Sequence, residues 1–324
     1  QLMKDLGQPS FRAKQLHEWL YLHHVDSYDE MTNLPQTLRV QLSADYPLFT
    51  PAVIDSQTSQ DGTAKYVISY HDGARVETVA IPSSDGRLTQ AGCAMGCTFC
   101  ATGKEGFTRN LSAGEIVDQI LIAQTRMGER VSNVVVMGQG EPFLNYEQTL
   151  SALRILNDEK LLNIGARHIT LSTCGILSGI DHLGTEPEQF TLAVSLHAAI
   201  QRTRDEIMPG VANYGLGKLK TALLKYIERT NRRATLEYAM MNHVNDSEED
   251  LKALIEFCTG LLCHVNLIPL NEIEESEFSP SKAPTKNHWY LTLNRSGIET
   301  TIRHSRGSDI AGACGQLKNA VKHR

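Results

Sequence analysis

The chain has 324 residues, of which 41% are hydrophobic and 21% charged, with a formal net charge of −6. That length and apolar share support one large domain with a small one beside it. The acidic balance argues against a protein that coats nucleic acid indiscriminately but leaves room for a local basic face, and no run of ~18 or more apolar residues is present to span a membrane.

Residues 1 to about 50 read as helical. Pro9-Ser10 is a start signal, and Phe11, Leu16, Trp19 and Leu20 form one apolar face. The chain opens on Gln1, so its natural start is expected upstream. Asn33-Leu34-Pro35 interrupts the helical pattern. Two strand-like runs follow, Ala64 to Ser69 and Arg75 to Ile81, and His71-Asp72-Gly73 between them is a hairpin signal.

Cys93, Cys97 and Cys100 come next, in Gly92-Cys93-Ala94-Met95-Gly96-Cys97-Thr98-Phe99-Cys100. The spacing C-x3-C-x2-C places three thiols on one short loop and supplies no fourth. A structural zinc site wants four ligands, usually as two pairs, and no second pair follows. A disulfide framework does not suit a chain of this length with seven cysteines. Buried inert thiols are common, but three within eight residues beside glycines are not. A cubane iron–sulfur cluster has four irons, so three thiolates leave one iron open to another ligand.

Beyond the cysteines the texture alternates between strand and helix. Val131–Met137, Ile169–Ser172, Thr191–Leu196, Ala234–Met241, His264–Pro269 and Ile298–Arg303 read as buried strands. Ser112 and Glu115 form a capping box before Ile116, Ile120 and Ala123, and Ser247 with Asp250 precedes Leu251, Leu254, Ile255 and Cys258. Six βα units in about 210 residues predict an α/β fold with an incomplete (β/α)6 barrel, since a full eight-unit barrel runs to ~250 residues.

Chemistry in such barrels gathers at the C-terminal strand ends. There lie Gly138-Gln139-Gly140-Glu141-Pro142, Ser172-Thr173, Ser195-Leu196-His197 and Pro269-Leu270-Asn271. Each alone is more often a plain strand terminus; four at equivalent places suggest a site. Gly140 admits a ligand close to backbone, Glu141 accepts from an ammonium, and Asn271 pairs with a carboxylate or amino group. That set suits a zwitterionic amino-acid ligand. Basic clusters at Arg202/Arg204, Arg232/Arg233, Arg303/His304/Arg306 and Lys318/Lys322/His323/Arg324 each read, taken singly, as solvated surface.

Cys93 to Lys104, followed by Gly106-Phe107-Thr108-Arg109-Asn110-Leu111, resembles the RlmN/Cfr group of radical S-adenosylmethionine (SAM) enzymes, the adenine-C2 methyltransferases of ribosomal and transfer RNA. Gly138–Asn145 looks like that group's SAM motif, with Gln139 where Met is usual. Ser305–Ile310 and Ala313-Cys314-Gly315-Gln316-Leu317 are similar to its C-terminal signature. The likeness runs from about Ser10 to Leu317.

The resemblance implies a radical SAM barrel over 91–324, a β-hairpin extension over 51–90 and a small RNA-contacting helical domain over 1–50. It implies that Cys93, Cys97 and Cys100 hold a [4Fe–4S] cluster and that Gly140, Glu141, Ser172, Ser195, Leu196, His197 and Asn271 contact SAM. Cys314 would become methylated and carry the transferred carbon, and Glu77 would be a carboxylate facing the substrate. Two SAM molecules would serve each turnover: one methylates Cys314, the other yields the radical that activates that methyl group. The implied partners are 23S rRNA and/or tRNA and a flavodoxin or ferredoxin electron donor, for a cytoplasmic monomer. The alternatives are adenine-C8 methylation of 23S rRNA, of the antibiotic-resistance type, and a radical SAM enzyme with a non-RNA substrate.

The chain departs from the family at one place. The family has a second cysteine, which forms a disulfide with the carrier to free the product, after a stretch like Arg87-Leu88-Thr89. Here Thr89 runs directly into Gln90-Ala91-Gly92-Cys93, about five residues short of that pattern. A segment lost from a chain numbered without gaps is the favoured account, beside a deliberate deletion and a natural variant that does not turn over. Cys174, Cys258 and Cys263 are expected to be buried structural thiols.

Overall fold

The computed structural model describes residues 2–82, 85–87, 90–273 and 276–318. Leu2–Asp5 (α1), Phe11–Tyr21 (α2) and Gln36–Asp45 (α3) are too short to persist alone. They survive by burying Met3, Leu16, Tyr28, Met31, Leu34, Leu38 and Leu42 in a core of their own. Phe11 does not join it: as the first residue of α2 it lies 51% exposed, with the Arg12 guanidinium 4.8 Å from its ring centroid.

Ala52–Thr58 (β1), Ala64–Ser69 (β2) and Arg75–Ile81 (β3) form an antiparallel meander. β2 and β3 have the bounds that the sequence predicts. Their turn closes through Tyr70 N–H to the Ala74 carbonyl, with Gly73 at φ +83°. β1 was not expected: its side chains are only exposed or half-buried in alternation, so it carries little apolar signal.

Asp85–Arg87 (β4) pairs antiparallel with β3 on one side and opens the parallel sheet on the other. Ala91–Gly92 (β5) and Phe107–Arg109 (β6) pair across the cysteine loop and Ala101–Glu105 (α4). Then come Ala113–Met127 (α5), Val134–Val136 (β7), Tyr146–Asn157 (α6), Ile169–Thr173 (β8), Leu177–Leu183 (α7), Thr191–Ser195 (β9) and Gln201–Ile207 (α8). Leu216–Thr230 (α9), Ala234–Met240 (β10), Glu248–Cys258 (α10), Cys263–Pro269 (β11), Ala283–Arg295 (α11) and Thr300–Ile302 (β12) complete the chain. The predicted capping box Ser112/Glu115 forms on α5, and Ser247 with Asp250 forms a second one on α10.

The strand order is β1-β2-β3-β4-β7-β8-β9-β10-β11-β12, parallel from β4 onward. Each new parallel strand joins the same edge, as in a barrel; a doubly wound sheet reverses its order part-way. Among the described residues β4 and β12 do not pair, so the barrel stays open. All six predicted strands are present, and β4 is a seventh, too short to be read from sequence. Among the described residues no helix is long and apolar enough to cross a membrane.

Candidate active site

The cysteine loop leaves β5 through Gly92, at φ +76°. A Cβ there would lie 2.3 Å from the Gly106 carbonyl oxygen, so a side chain would pry β5 from β6. Cys93 N–H donates to Gly106 (2.9 Å), Cys100 N–H to Cys97 (3.1 Å) and Thr98 N–H to Ile207 at the end of α8 (3.0 Å). The three thiols line one interior cavity. Burial pushes the Cys93 thiol up to about 11 and Cys100 to about 12. A hydrogen bond with Cys174 draws Cys97 below its usual value.

Among the described residues no three side chains converge on one ion position. Zinc would need such convergence. A cubane cluster does not, because each thiolate takes a different iron. The donors are soft, share one short loop and face a common cavity, so they fit an iron–sulfur cluster. Size alone would point elsewhere: a larger cavity of about 370 Å³ lies between α2 and α5, but no cysteine lines it.

The strand ends converge on the same cavity. Gly140 follows β7 at φ +103°, and a Cβ there would meet the Gln90 side chain at 2.1 Å. Glu141 is buried, and both its oxygens accept backbone N–H groups: Phe143 at 3.0 Å and Cys174 at 2.6 Å. It thereby ties the end of β7 to the end of β8. Burial raises its carboxyl above the ordinary carboxylate range, against those hydrogen bonds. His197, just past β9, adopts φ +54° and is buried. Its Nδ1 accepts from Ala239 N–H at 2.9 Å, which leaves the proton on Nε2. Burial, then Arg204, pulls its pKa down to about 3, so the ring is a neutral donor packed edge-on against Phe99, 4.8 Å between centroids.

Cys314 enters the cavity from the C-terminal segment. Asn271 Nδ2 donates to its carbonyl at 3.0 Å, Ala101 N–H to Gly315 at 2.8 Å and Thr102 Oγ1 to Leu317 at 2.7 Å. The meander grips the same segment. Ser59 Oγ donates to Asp309 Oδ1 (2.6 Å), Gly307 N–H to Asp61 Oδ2 (3.0 Å) and Lys318 N–H to Glu77 Oε2 (2.8 Å). Lys65 Nζ lies 3.1 Å from Glu77 Oε1.

Of the sequence-predicted residues, Cys93, Cys97, Cys100, Gly140, Glu141, Ser172, Ser195, His197 and Cys314 line one cavity. Leu196 is buried beside it, and Asn271 touches it through the Cys314 backbone. Glu77 lies outside that lining, beneath the carrier segment.

Two site residues are not legible from sequence, and Cys263, expected to be buried, is half-buried. Cys174 lines the cavity beside Cys97; its place right after Ser172-Thr173 at a strand end was the available signal. Arg204 reads as surface but is 1% exposed. Its guanidinium donates to the carbonyls of Cys174 (2.6 Å), Leu196 (3.2 Å) and Ser195 (3.4 Å), bracing β8 against β9. Leu88 and Thr89, where the family pattern breaks, lie outside the described residues. All seven cysteines are free thiols, so the disulfide implied for Cys314 is not formed.

Residues 88–258 match the family described as the Radical SAM superfamily, and residues 1–46 match the Ribosomal RNA large subunit methyltransferase N-terminal domain. A curated protein of Clostridium novyi, "Probable dual-specificity RNA methyltransferase RlmN", is 45% identical over 98% of this chain and 94% of its own length. The chain belongs to the RlmN group of the radical SAM superfamily. A Staphylococcus aureus protein of the same description is 46% identical over 97% of this chain and 88% of its own. A crystal structure of a radical SAM methyltransferase from Sphaerobacter thermophilus superposes with a TM-score of 0.91 at 42% identity, over 98% of this chain and 96% of that one. Streptococcus suis SuiB, solved with S-adenosylmethionine, shares the fold at TM-score 0.52 and 16% identity, over 68% of this chain and 51% of that one. The superfamily's cofactors are a [4Fe–4S] cluster and SAM, and the cysteine loop suits the first.

Proposed function

We propose that this chain methylates carbon 2 of an adenosine in 23S rRNA and/or tRNA through a methyl group carried on Cys314. The carrying observation is that Cys314, from the far C-terminal segment, meets Cys93, Cys97 and Cys100 in one cavity ringed by strand ends. Abstraction of hydrogen from a bound substrate needs no extra thiol opposite the cluster loop; transfer of a carrier methyl group does.

In this reading Cys93, Cys97 and Cys100 hold the cluster. Gly140, Glu141, Ser172, Ser195, Leu196, His197 and Asn271 seat SAM. When bound, cluster and SAM supply the radical that takes hydrogen from a methyl group, as an electron-poor ring carbon requires. Cys314 Sγ bears that methyl group, and Asn271 fixes its backbone opposite the loop. His197 offers Nε2–H without charge, and Glu141 keeps the strand-end loops in register. Glu77 acts through the Cys314 segment, which it holds by Lys318 N–H.

The RNA-facing surface is assigned to residues 1–50 and to Arg303–Arg306. The Arg303 guanidinium reaches cavity-lining Met137 at 3.2 Å, and His304 and Arg306 are exposed beyond it. Residues 51–90 form the extension that carries Glu77, and 91–324 the barrel with its carrier segment. The electron donor is a flavodoxin or ferredoxin, the setting the cytoplasm, and the active species a monomer. The test is anaerobic reaction with RNA, SAM and a reductant, followed by nucleoside mass spectrometry. 2-Methyladenosine is expected; 8-methyladenosine alone, or unmodified RNA, would refute the reading.

A further inference from the structure

The proposed chemistry leaves three thiols unused: Cys174 lines the cavity, and the other two, Cys258 and Cys263, lie at the far end of the barrel. Cys258 is the last residue of α10 and Cys263 the first of β11. The four residues between them turn back sharply, with Leu261 N–H donating to the Cys258 carbonyl at 2.9 Å. The turn brings the two side chains into hydrogen-bond contact. Cys258 is buried at 2% exposure, whereas Cys263 is half-buried.

Two cations flank the pair. Lys220 Nζ donates to the Glu256 carbonyl at 3.1 Å, two residues before Cys258. Arg233 directly precedes Ala234, which pairs with Cys263 across the β10–β11 ladder. Cations beside a thiol favour its thiolate. The Cys258 contact first, and then these cations, draw the Cys263 thiol below its usual value, while Cys258 is pushed up. The more accessible member, Cys263, is thus the better nucleophile, and the buried Cys258 stands ready behind it. β11 separates this end from the cavity by its seven residues, or ~20 Å.

We propose that Cys258 and Cys263 are a reversible dithiol–disulfide site, oxidised by a small disulfide such as oxidised glutathione and independent of the active-site thiols. The Cys263 thiolate attacks one sulfur of the small disulfide. A mixed disulfide forms and one glutathione thiolate leaves. Cys258 then gives up its proton and attacks Cys263 Sγ, expelling the second glutathione thiolate. Two protons and two electrons pass from the pair to glutathione, and one protein S–S bond is made for the one consumed.

The full chain, anaerobically loaded with its cluster, is incubated with oxidised glutathione, alkylated with N-ethylmaleimide and digested for peptide mass spectrometry. The peptide holding both cysteines should lose two hydrogens, take no alkylation and recover both sites after dithiothreitol. This measurement on the unaltered chain needs no variant to fold. Cys258→Ser should trap a stable glutathione adduct on Cys263, and Cys263→Ser should leave Cys258 without one. Under reducing conditions both variants should keep their iron and their methyl transfer. Full alkylation of both residues after treatment, a lasting glutathione adduct in the unaltered chain, or lost methyl transfer in reduced Cys263→Ser would overturn the proposal.

Discussion

Glu77→Gln tests how the meander supports the carrier segment. Glu77 and Lys65 lie on neighbouring strands at diagonal positions, since Glu77 pairs with Val67 and Lys65 with Val79. Their charged atoms are 3.1 Å apart, and their side chains are 1% and 7% exposed. Lys65 Nζ also donates to the Ala311 carbonyl at 3.5 Å, and Glu77 accepts from Lys318 N–H. These anchors fall three residues before and four after Cys314. Gln keeps the shape and an acceptor but leaves a buried ammonium without its counter-charge, which costs about 3–5 kcal/mol. Replacing both residues, as Lys65→Met with Glu77→Gln, removes the stranded charge and should recover most of that loss.

The pH dependence follows from the same burial. Burial raises the Glu77 carboxyl from 4.5 to about 7, because desolvation outweighs the pull of Lys65. The folded chain thus binds this proton more tightly than the unfolded chain. The part of the stability linked to this proton is fully present below about 4.5 and is lost as pH rises through about 7, whereas the charge pair with Lys65 is complete only above about 7. Urea unfolding of the unaltered chain, Glu77→Gln, Lys65→Met and the double variant, at pH 5 and pH 8, reads both effects. Proteolysis near Cys314 should quicken in the single variants. A Glu77→Gln loss within about 0.5 kcal/mol at pH 8, the range of an ordinary surface change, or an undiminished pH slope in that variant, would refute the reasoning.

Alanine at Cys93, Cys97 or Cys100 should abolish bound iron and the associated visible absorbance; a triple variant with a stoichiometric cluster would refute the assignment. Cys314→Ala should retain iron yet transfer no methyl group, and intact-protein mass should show one added CH2 on Cys314 only in the unaltered chain. Arg204→Met strips the donors from three strand-end carbonyls, at about 1–3 kcal/mol for each one left buried and unmet. It should raise the SAM dissociation constant in calorimetry, and unchanged SAM affinity would count against its bracing role. RNA affinity should fall linearly with log salt, and Arg306→Gln should shallow that slope if Arg306 neutralises a phosphate.

The sequence by itself determined the features whose physics is local. The Asp72-Gly73 turn, the capping box Ser112/Glu115, the helix start at Ser247 and Asp250, and the apolar runs of β7 to β12 depend on neighbours within a few residues. The three loop cysteines announce their chemistry by spacing alone. What remained illegible depends on partners far along the chain. Arg204 looks like a surface charge because its three acceptors sit up to 30 residues away. Cys174 looks structural until the loop folds Cys97 against it. Glu77 reads as a strand carboxylate, yet Lys318, 241 residues later, gives it a partner. Burial and long-range pairing set the charge and purpose of these groups, and both are properties of the folded sheet that no short window of residues contains.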